Sequence, residues 1–189
     1  MQRLFLIRHG KPAAVWGEAD DDPGLDEAGR AQARAARDHL LALPEDMRPL
    51  KVVSSPLRRC RETAAPTAEA LGVEIEIDPG VGEIPTPAAL TAEQRPAWLR
   101  EAFQGRWTDI QGDLDYGVWR RRAADSLLTR SRTAVFSHYV AINAVMSLLA
   151  GDDRVLVFRP DHASITTLET DGSRLVLVEA GREASTGVL

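Results

Sequence analysis

The chain has 189 residues, a length typical of one domain that can bury a full hydrophobic core. Its formal net charge of −5 argues against a nucleic-acid-binding surface, and its single cysteine, Cys60, excludes an internal disulfide and a cysteine-based zinc site. The apolar run before Arg8 is too short for a signal peptide and no stretch is long enough to span a bilayer, so we expect a cytoplasmic protein.

The first predicted element is a short apolar strand that ends in three residues of a different kind. Residues 4–7 are continuously apolar, which is typical of a strand covered on both faces of a parallel sheet. Arg8, His9 and Gly10 follow, and the glycine allows a sharp turn. Arginine presents a fixed fork of donors to phosphate oxygens, and an imidazole can attack or transfer a proton near neutral pH. The pattern therefore predicts a phosphate site at the end of this strand.

Two further apolar strands end in the same way, at polar residues that precede a helix. Residues 51–54 end at Ser54-Ser55, and residues 133–136 are followed by Ser137-His138. Right-handed crossovers place the carboxyl ends of such strands along one edge of a parallel sheet, where α/β folds bind their ligands. We therefore expect an α/β fold whose site is built from three strand ends.

The rest of the chain predicts the helices and strands that complete this fold. Asp26 is a candidate N-cap, Gly72 a helix stop, and Thr91 with Gln94 a capping box that precedes Pro96. The predicted helices cover residues 26–41, 56–71, 91–103, 116–130 and 140–149. The remaining predicted strands cover residues 73–77, 155–158, 165–168 and 175–178. A hairpin turn at Asp171-Gly172 joins the last two strands.

Four motifs, in this order, resemble the histidine phosphatase superfamily, also called the phosphoglycerate mutase-like family, and in particular its small bacterial-type phosphatases. The first is the strand that ends in Arg8-His9-Gly10, and the second, Ser-x-Leu-x-Arg-x-x-x-Thr-Ala, is matched by residues 55–64. A loop acid is matched by Glu83, and a strand ending in Ser-His is matched by Ser137-His138.

The resemblance implies a single histidine phosphatase domain over residues 1–189, with a lid-like helical segment over about residues 84–131. Its fold would be a three-layer sandwich, in which helices flank a central and mostly parallel sheet. The activity implied is metal-independent hydrolysis of phosphomonoesters without a cofactor. The expected partner is a small-molecule phosphomonoester, not a nucleic acid or a membrane.

The resemblance also implies a role for each residue of the predicted site. His9 would attack phosphorus and form a phosphohistidine that water then hydrolyses. Arg8 and Arg59 would bind the phosphate oxygens, with His138 as a third donor and catalytic partner. Glu83 would protonate the leaving group and then activate water.

The chain departs from the family pattern at two places, and one assignment stays open. Lys11 and Pro12 follow Gly10 where many members have an acidic residue or threonine and then an asparagine, which leaves the substrate open. Tyr139 stands where glycine usually follows the second histidine, and we expect it to narrow the pocket. Asp78 lies near Glu83 in the sequence and is the competing candidate for the general acid.

Several other polar or aromatic residues have ordinary structural interpretations. We expect His39 and His162 to be structural, the tryptophans at 98, 107 and 119 to pack the helical segment, and the arginines at 58, 61 and 120–122 to be solvated. One hypothesis is that Trp16 and the acidic residues of 18–22 favour a substrate with a cation near its phosphate.

Two functions compete with hydrolysis. A phosphoglycerate mutase-like phosphotransferase would retain the phosphohistidine until a second acceptor arrives. A non-catalytic phosphate-ligand sensor or scaffold would keep the pocket without turnover.

Overall fold

The computed structural model describes residues 1–14 and 22–185. Within these residues the chain forms six strands and five α-helices. The strands are β1 (Gln2–Arg8), β2 (Lys51–Ser54), β3 (Ile75–Ile77), β4 (Thr133–Ser137), β5 (Ile165–Thr170) and β6 (Leu175–Glu179). The helices are α1 (Glu27–Ala42), α2 (Arg58–Leu71), α3 (Arg95–Gln104), α4 (Tyr116–Asp125) and α5 (Tyr139–Leu149). None of these helices is long and apolar enough to cross a membrane.

The strands form one mixed sheet in the order β3-β2-β4-β1-β5-β6. The first four run parallel to one another, whereas β5 and β6 are antiparallel to their neighbours. Arg8 of β1 pairs with Ser137 of β4, and Ser54 of β2 pairs with Phe136 of β4. The three apolar strands predicted from sequence are therefore neighbours, and their carboxyl ends lie side by side.

The side chains of β1 alternate between the two faces of the sheet and so divide the core. Leu4 and Leu6 pack with Ile142 of α5, whereas Phe5 and Ile7 pack on the opposite face with Leu40 of α1 and with α2. Full burial of each such side chain stabilises the fold by about 1.5–3 kcal/mol. Helices thus cover both faces of the sheet, which confirms the predicted three-layer α/β sandwich.

The caps predicted for the first two helices are confirmed. Asp26 Oδ1 accepts a hydrogen bond from the backbone N–H of Gly29 at 2.6 Å. Gly72 ends α2 in the left-handed conformation, with φ of 67°. Because the N–H of Val73 bonds back to Ala68 O at 3.1 Å, Val73 belongs to this cap and β3 begins later than predicted, at Ile75.

The strand predicted over residues 155–158 is wrong. The N–H groups of Val157 and Phe158 donate to Oδ1 of Asn143, at 3.0 and 2.9 Å. A side chain of α5 therefore accepts the hydrogen bonds of these two N–H groups, in place of the backbone of a neighbouring strand.

Two helices are shorter than predicted. The N–H of Thr91 donates to Gln94 Oε1 at 3.0 Å, but α3 itself begins only at Arg95, next to Pro96. Helix α4 ends at Asp125, and single turns follow it as far as residue 130.

A third apolar cluster joins the helical segment to α5, and it includes the three tryptophans predicted to pack there. Trp107 is almost fully buried and lies near Trp119 and Ala144. The prediction that Arg120 is solvated is wrong. Its side chain is buried against the Trp107 ring and donates to Asp153 at 3.0 Å, because Asp153 lies beside α4 in the fold.

Candidate active site

The ends of the neighbouring strands β1 and β4 bring two histidines and an arginine together. Arg8 ends β1, His9 follows it, and His138 follows β4; all three are buried. The His9 N–H donates to Ser137 O at 3.0 Å, which extends the pairing of β1 and β4 beyond the strands. The two imidazole rings lie 5.3 Å apart, centroid to centroid. The convergence predicted from sequence is therefore present.

The hydrogen bonds of His9 select its tautomer. Nδ1 lies 2.8 Å from Gly10 O, which can only accept, so Nδ1 carries the proton. Nε2 is then an unprotonated acceptor, and Arg59 Nε donates to it at 3.4 Å. Burial, His138 and the two arginines Arg59 and Arg8 lower the pKa of His9 well below its usual value. The imidazole is neutral near pH 7, and its Nε2 carries a lone pair without a proton, as a nucleophile requires.

Two glycines allow the loop after β1 to pack against the start of α1. A Cβ added to Gly10 would lie 2.6 Å from Gly29 O, and one added to Gly29 would collide with Lys11 O. The Gly10 N–H donates to Thr63 Oγ1 at 2.9 Å, and that hydroxyl donates to Arg59 O at 2.6 Å. Thr63 therefore joins the first motif to the second, a role that its place in the motif did not reveal.

Arg8 is held so that part of its guanidinium stays available. Nη1 donates to Pro160 O at 3.0 Å, and the guanidinium carbon lies 4.9 Å from the centroid of the Tyr139 ring. Nε is buried and makes no hydrogen bond with the part of the chain that the structure describes. Burial lowers the pKa of Arg8 to about 10, so the group remains cationic at neutral pH. A buried cation with an uncommitted donor is suited to an oxyanion.

Tyr139, which replaces the usual glycine, packs beside Arg8 at the first position of α5. Its ring is 8% exposed and lies 5.7 Å from the ring of Phe103. An aromatic face attracts a guanidinium, so Tyr139 fixes one side of Arg8. The predicted narrowing of the pocket stays a prediction.

His138 is fully buried, and three side chains contact its ring. Ser55 Oγ lies 2.7 Å from Nε2, Cys60 Sγ lies 3.3 Å from the same nitrogen, and Glu83 Oε2 lies 3.8 Å from Nδ1. Burial, then Arg59 and Arg8, lower the pKa of His138 well below its usual value. Ser55 and Cys60 are contacts that the sequence motif did not assign, although both lie within the second motif.

Of the two candidate acids, the structure brings Glu83 to His138, with Oε2 3.8 Å from Nδ1. Burial raises the pKa of Glu83, against the opposing influence of Arg59 and Arg8. Its Oε1 accepts from the Ile84 N–H at 2.9 Å, which fixes the carboxyl orientation. Asp78 is instead paired with Arg130 at 2.7 Å and bonds to the Gly80 N–H at 2.8 Å. A carboxylate committed to an ion pair is a poor proton donor.

His162, predicted to be structural, lies beside the nucleophile. Its ring centroid is 6.0 Å from that of His9. Residue 162 precedes β5, and β5 runs antiparallel to β1 with Ile165 paired to Ile7. The start of an antiparallel neighbour meets the end of β1, and this topological rule is the signal that could have found His162.

Other sequence candidates lie outside this cluster or outside the described residues. Arg58 is exposed and pairs with Glu62 at 2.6 Å, and Arg61 is exposed on the same helix. Trp16 and the acidic residues 18–21 lie outside the described residues, so the hypothesis of a cationic substrate stays a prediction.

The whole arrangement is suited to binding and attacking a phosphate group. Helices α2 and α5 both begin at this edge of the sheet, and helix N-termini present unpaired N–H groups to anions. Two buried arginines supply positive charge, and a neutral imidazole beside them offers a lone pair. A buried carboxyl with a raised pKa completes the set of groups that phosphoryl transfer needs.

The chain is similar to several known proteins, in sequence and in structure. A probable phosphoglycerate mutase from Erwinia tasmaniensis is 28% identical over 169 residues, which cover 80% of this chain and 76% of the relative. The mycobacterial glucosyl-3-phosphoglycerate phosphatase structure superposes with a TM-score of 0.72 at 23% identity, covering 97% of this chain and 100% of the other. A phosphoserine phosphatase from Entamoeba histolytica, in complex with 3-phosphoglyceric acid, superposes with a TM-score of 0.72 at 22% identity, covering 96% and 98%.

The two structural likenesses establish the fold, and the family is shown by the sequence itself. The sequence profile of the histidine phosphatase superfamily (branch 1) matches residues 4–182. This range includes the three candidate residues His9, Glu83 and His138. The chain therefore belongs to the histidine phosphatase superfamily, branch 1.

Proposed function

We propose that this protein is a phosphomonoester hydrolase that acts through a phosphohistidine on His9, with Glu83 as general acid and base. The observation that carries the proposal is the pair of contacts made by the ring nitrogens of His9, which select its tautomer. Its Nδ1 proton is held by Gly10 O at 2.8 Å, while Nε2 faces Arg59. Membership of the superfamily supports a phosphatase, and the residue roles are our inference.

In the first step, the Nε2 lone pair of His9 attacks phosphorus. An N–P bond forms, the bond from phosphorus to the leaving oxygen breaks, and protonated Glu83 gives its proton to that oxygen. Arg8 and Arg59 stabilise the charge on the phosphoryl oxygens, which spreads in a loose transition state. His138 is neutral in the free site, because its pKa is lowered there. The negative charge of the bound phosphate raises that pKa, so that His138 becomes protonated and donates a hydrogen bond to a phosphoryl oxygen.

In the second step, water attacks the phosphohistidine. Glu83, now a carboxylate, takes a proton from the water, the N–P bond breaks, and inorganic phosphate leaves. Burial raises the pKa of Glu83, and this supports both roles, because a pKa closer to neutral lets the carboxyl give up a proton and take one back.

A mutase-like phosphotransferase is the second candidate, favoured by the similarity to a probable phosphoglycerate mutase. Its phosphohistidine would persist in water and be discharged by a second acceptor. The substrate that we propose in either case is a small phosphorylated molecule, and a cytoplasmic location stays a prediction.

The test is metal-free hydrolysis of an aryl and an alkyl phosphate, with acid-quench detection of an acid-labile phosphoenzyme. We expect His9→Ala to abolish both turnover and the phosphoenzyme. Glu83→Gln should slow the alkyl phosphate by about 10²–10⁴-fold and the aryl phosphate much less, because an aryl leaving group needs little protonation. Asp78→Asn is the matched control, since its carboxyl is paired with Arg130.

The outcomes separate the candidates. A phosphoenzyme that resists water but transfers its phosphoryl group to an added alcohol or sugar would favour the mutase. Phosphate binding without any phosphoenzyme would favour the sensor. An unchanged rate for His9→Ala would reject the mechanism.

A further inference from the structure

The turn of residues 160–164 is bonded to the end of β1. Arg8 donates from Nη1 to Pro160 O at 3.0 Å and from its backbone N–H to Ser164 O at 3.3 Å. The Ala163 N–H donates to His9 O at 3.3 Å. The turn is therefore positioned by the same two residues that would bind and attack phosphate.

The backbone of this turn is held in an unfavourable conformation. Ala163 has φ of 53°, in the left-handed region that residues with a Cβ rarely adopt. Such a conformation persists only where the surroundings fix it, and it clusters at functional sites. Ala163 directly follows His162, whose ring lies next to that of the nucleophile.

The ring of His162 lies 6.0 Å from that of His9 and is partly exposed. This separation is short enough for an oxygen of a phosphoryl group on His9 to accept a hydrogen bond from it. The charged and titratable groups that face it are Arg8, His9, Lys11, Asp26 and Asp161. They come from β1, the loop after it, the start of α1 and the turn itself.

We propose that His162 is a phosphate-binding residue, whose imidazole N–H donates to an oxygen of the phosphoryl group as that group moves to and from His9. The inference rests on the proposed function. It adds a third imidazole to the site, from a segment outside the four motifs.

The electrostatics of the free protein agree with this role. Burial, then Arg8, lower the pKa of His162 to about 4, so the ring is a neutral donor before substrate arrives. A phosphoryl dianion beside it favours the protonated form and raises that pKa. His162 would thus strengthen its hydrogen bond as the negative charge approaches.

The first test measures the wild type, and a variant serves only to assign its signals. The imidazole of His162 is titrated by NMR in the wild type, with and without saturating inorganic phosphate, and its signals are assigned by their absence in His162→Gln. We expect phosphate to raise its pKa by about one unit or more. A wild type that binds phosphate and hydrolyses phosphoesters, yet leaves the His162 titration unchanged, would overturn the inference and keep the proposed function.

The second test separates binding from positioning. His162→Leu should weaken binding of inorganic phosphate about 10-fold, the loss of one hydrogen bond to a charged group, whereas His162→Gln, which keeps a donor, should bind near the wild-type value. His39→Leu, an exposed histidine on α1, is the matched control. A fall in kcat with unchanged phosphate affinity, or equal losses in both His162 variants, would contradict a binding role.

If phosphate binds and shifts His162 but no ester is hydrolysed, the binding role stands and the hydrolase proposal fails. If neither binding nor hydrolysis occurs, both proposals are wrong.

Discussion

At the scale of single residues, the site depends on which groups are charged before substrate binds. His9 is neutral because burial and the neighbouring cations disfavour its protonation. Glu83 is protonated more readily than a surface glutamate because burial disfavours its carboxylate. The two pKa values are shifted in opposite directions from their ordinary values, and each shift favours the form that the first step uses.

These directions predict the pH dependence of hydrolysis. An ordinary imidazole is half protonated at pH 6.5, and a lowered pKa keeps His9 unprotonated at more acidic pH. We therefore expect kcat/KM for an aryl phosphate to persist below pH 6.5 before its acid limb begins. For an alkyl phosphate the rate should fall on the alkaline side as Glu83 loses its proton, and Glu83→Gln should remove that limb. Profiles in a constant-ionic-strength buffer check both limbs; an acid limb above pH 6.5 would contradict the neutral nucleophile.

Tyr139 gives a second prediction at this scale. Its ring faces the Arg8 guanidinium at 4.9 Å, so Tyr139→Leu should loosen Arg8 and raise KM for phosphoesters. The expected rise is about 2- to 30-fold, from a cation–π contribution of about 0.5–2 kcal/mol. Tyr139→Phe keeps the ring and is the control. Equal KM values for the Leu and Phe variants would assign the effect to something other than the aromatic face.

At the scale of elements, the loop after β1 and the start of α1 fit only because both contain glycine. In an ordinary helix position, alanine in place of glycine stabilises by about 0.5–1 kcal/mol. At Gly29 the added methyl group would collide with Lys11 O, so we expect Gly29→Ala to lower the free energy of unfolding by about 1–3 kcal/mol instead. Urea unfolding measures the change in the free energy of unfolding. The control is Ala35→Gly, at an exposed position of the same helix, which measures the difference in helix propensity between alanine and glycine alone. A stabilised Gly29→Ala would show that the loop moves aside.

Asn143 gives the second prediction for an element, because it replaces a strand partner for residues 157 and 158. Asn143→Leu would leave two N–H groups without their acceptor, at a cost of about 1–3 kcal/mol each where they stay dry. Gln104→Leu makes a similar change at an exposed position of α3, where effects are within about 0.5 kcal/mol. Similar midpoints for the two variants in urea would mean that water replaces the amide.

At the scale of the whole molecule, the sequence predicts the features that depend on a short local pattern and recur along the chain. The strands β1, β2 and β4 are apolar runs with their polar residues at the same end, so the convergence of Arg8-His9, Ser55 and His138 follows from three local patterns. His162 and Arg120 could not be placed in this way. The position of His162 depends on the antiparallel pairing of β5 with β1. The burial of Arg120 depends on its ion pair with Asp153, which is distant in the sequence.

Because the site is assembled from several strand and helix ends, a ligand that bridges them should stabilise the whole fold. Binding at about 100 times Kd adds about 2.7 kcal/mol, which for a chain of this size raises Tm by about 5–11 °C. We expect inorganic phosphate to raise Tm by this amount, with the ionic strength kept constant by added chloride salt. Arg59→Ala should lose the shift, since its guanidinium lies at His9, whereas Arg61→Ala, exposed on the same helix, should keep it. An equal shift in both variants would mean that phosphate acts elsewhere on the protein, because only one of these arginines faces the nucleophile.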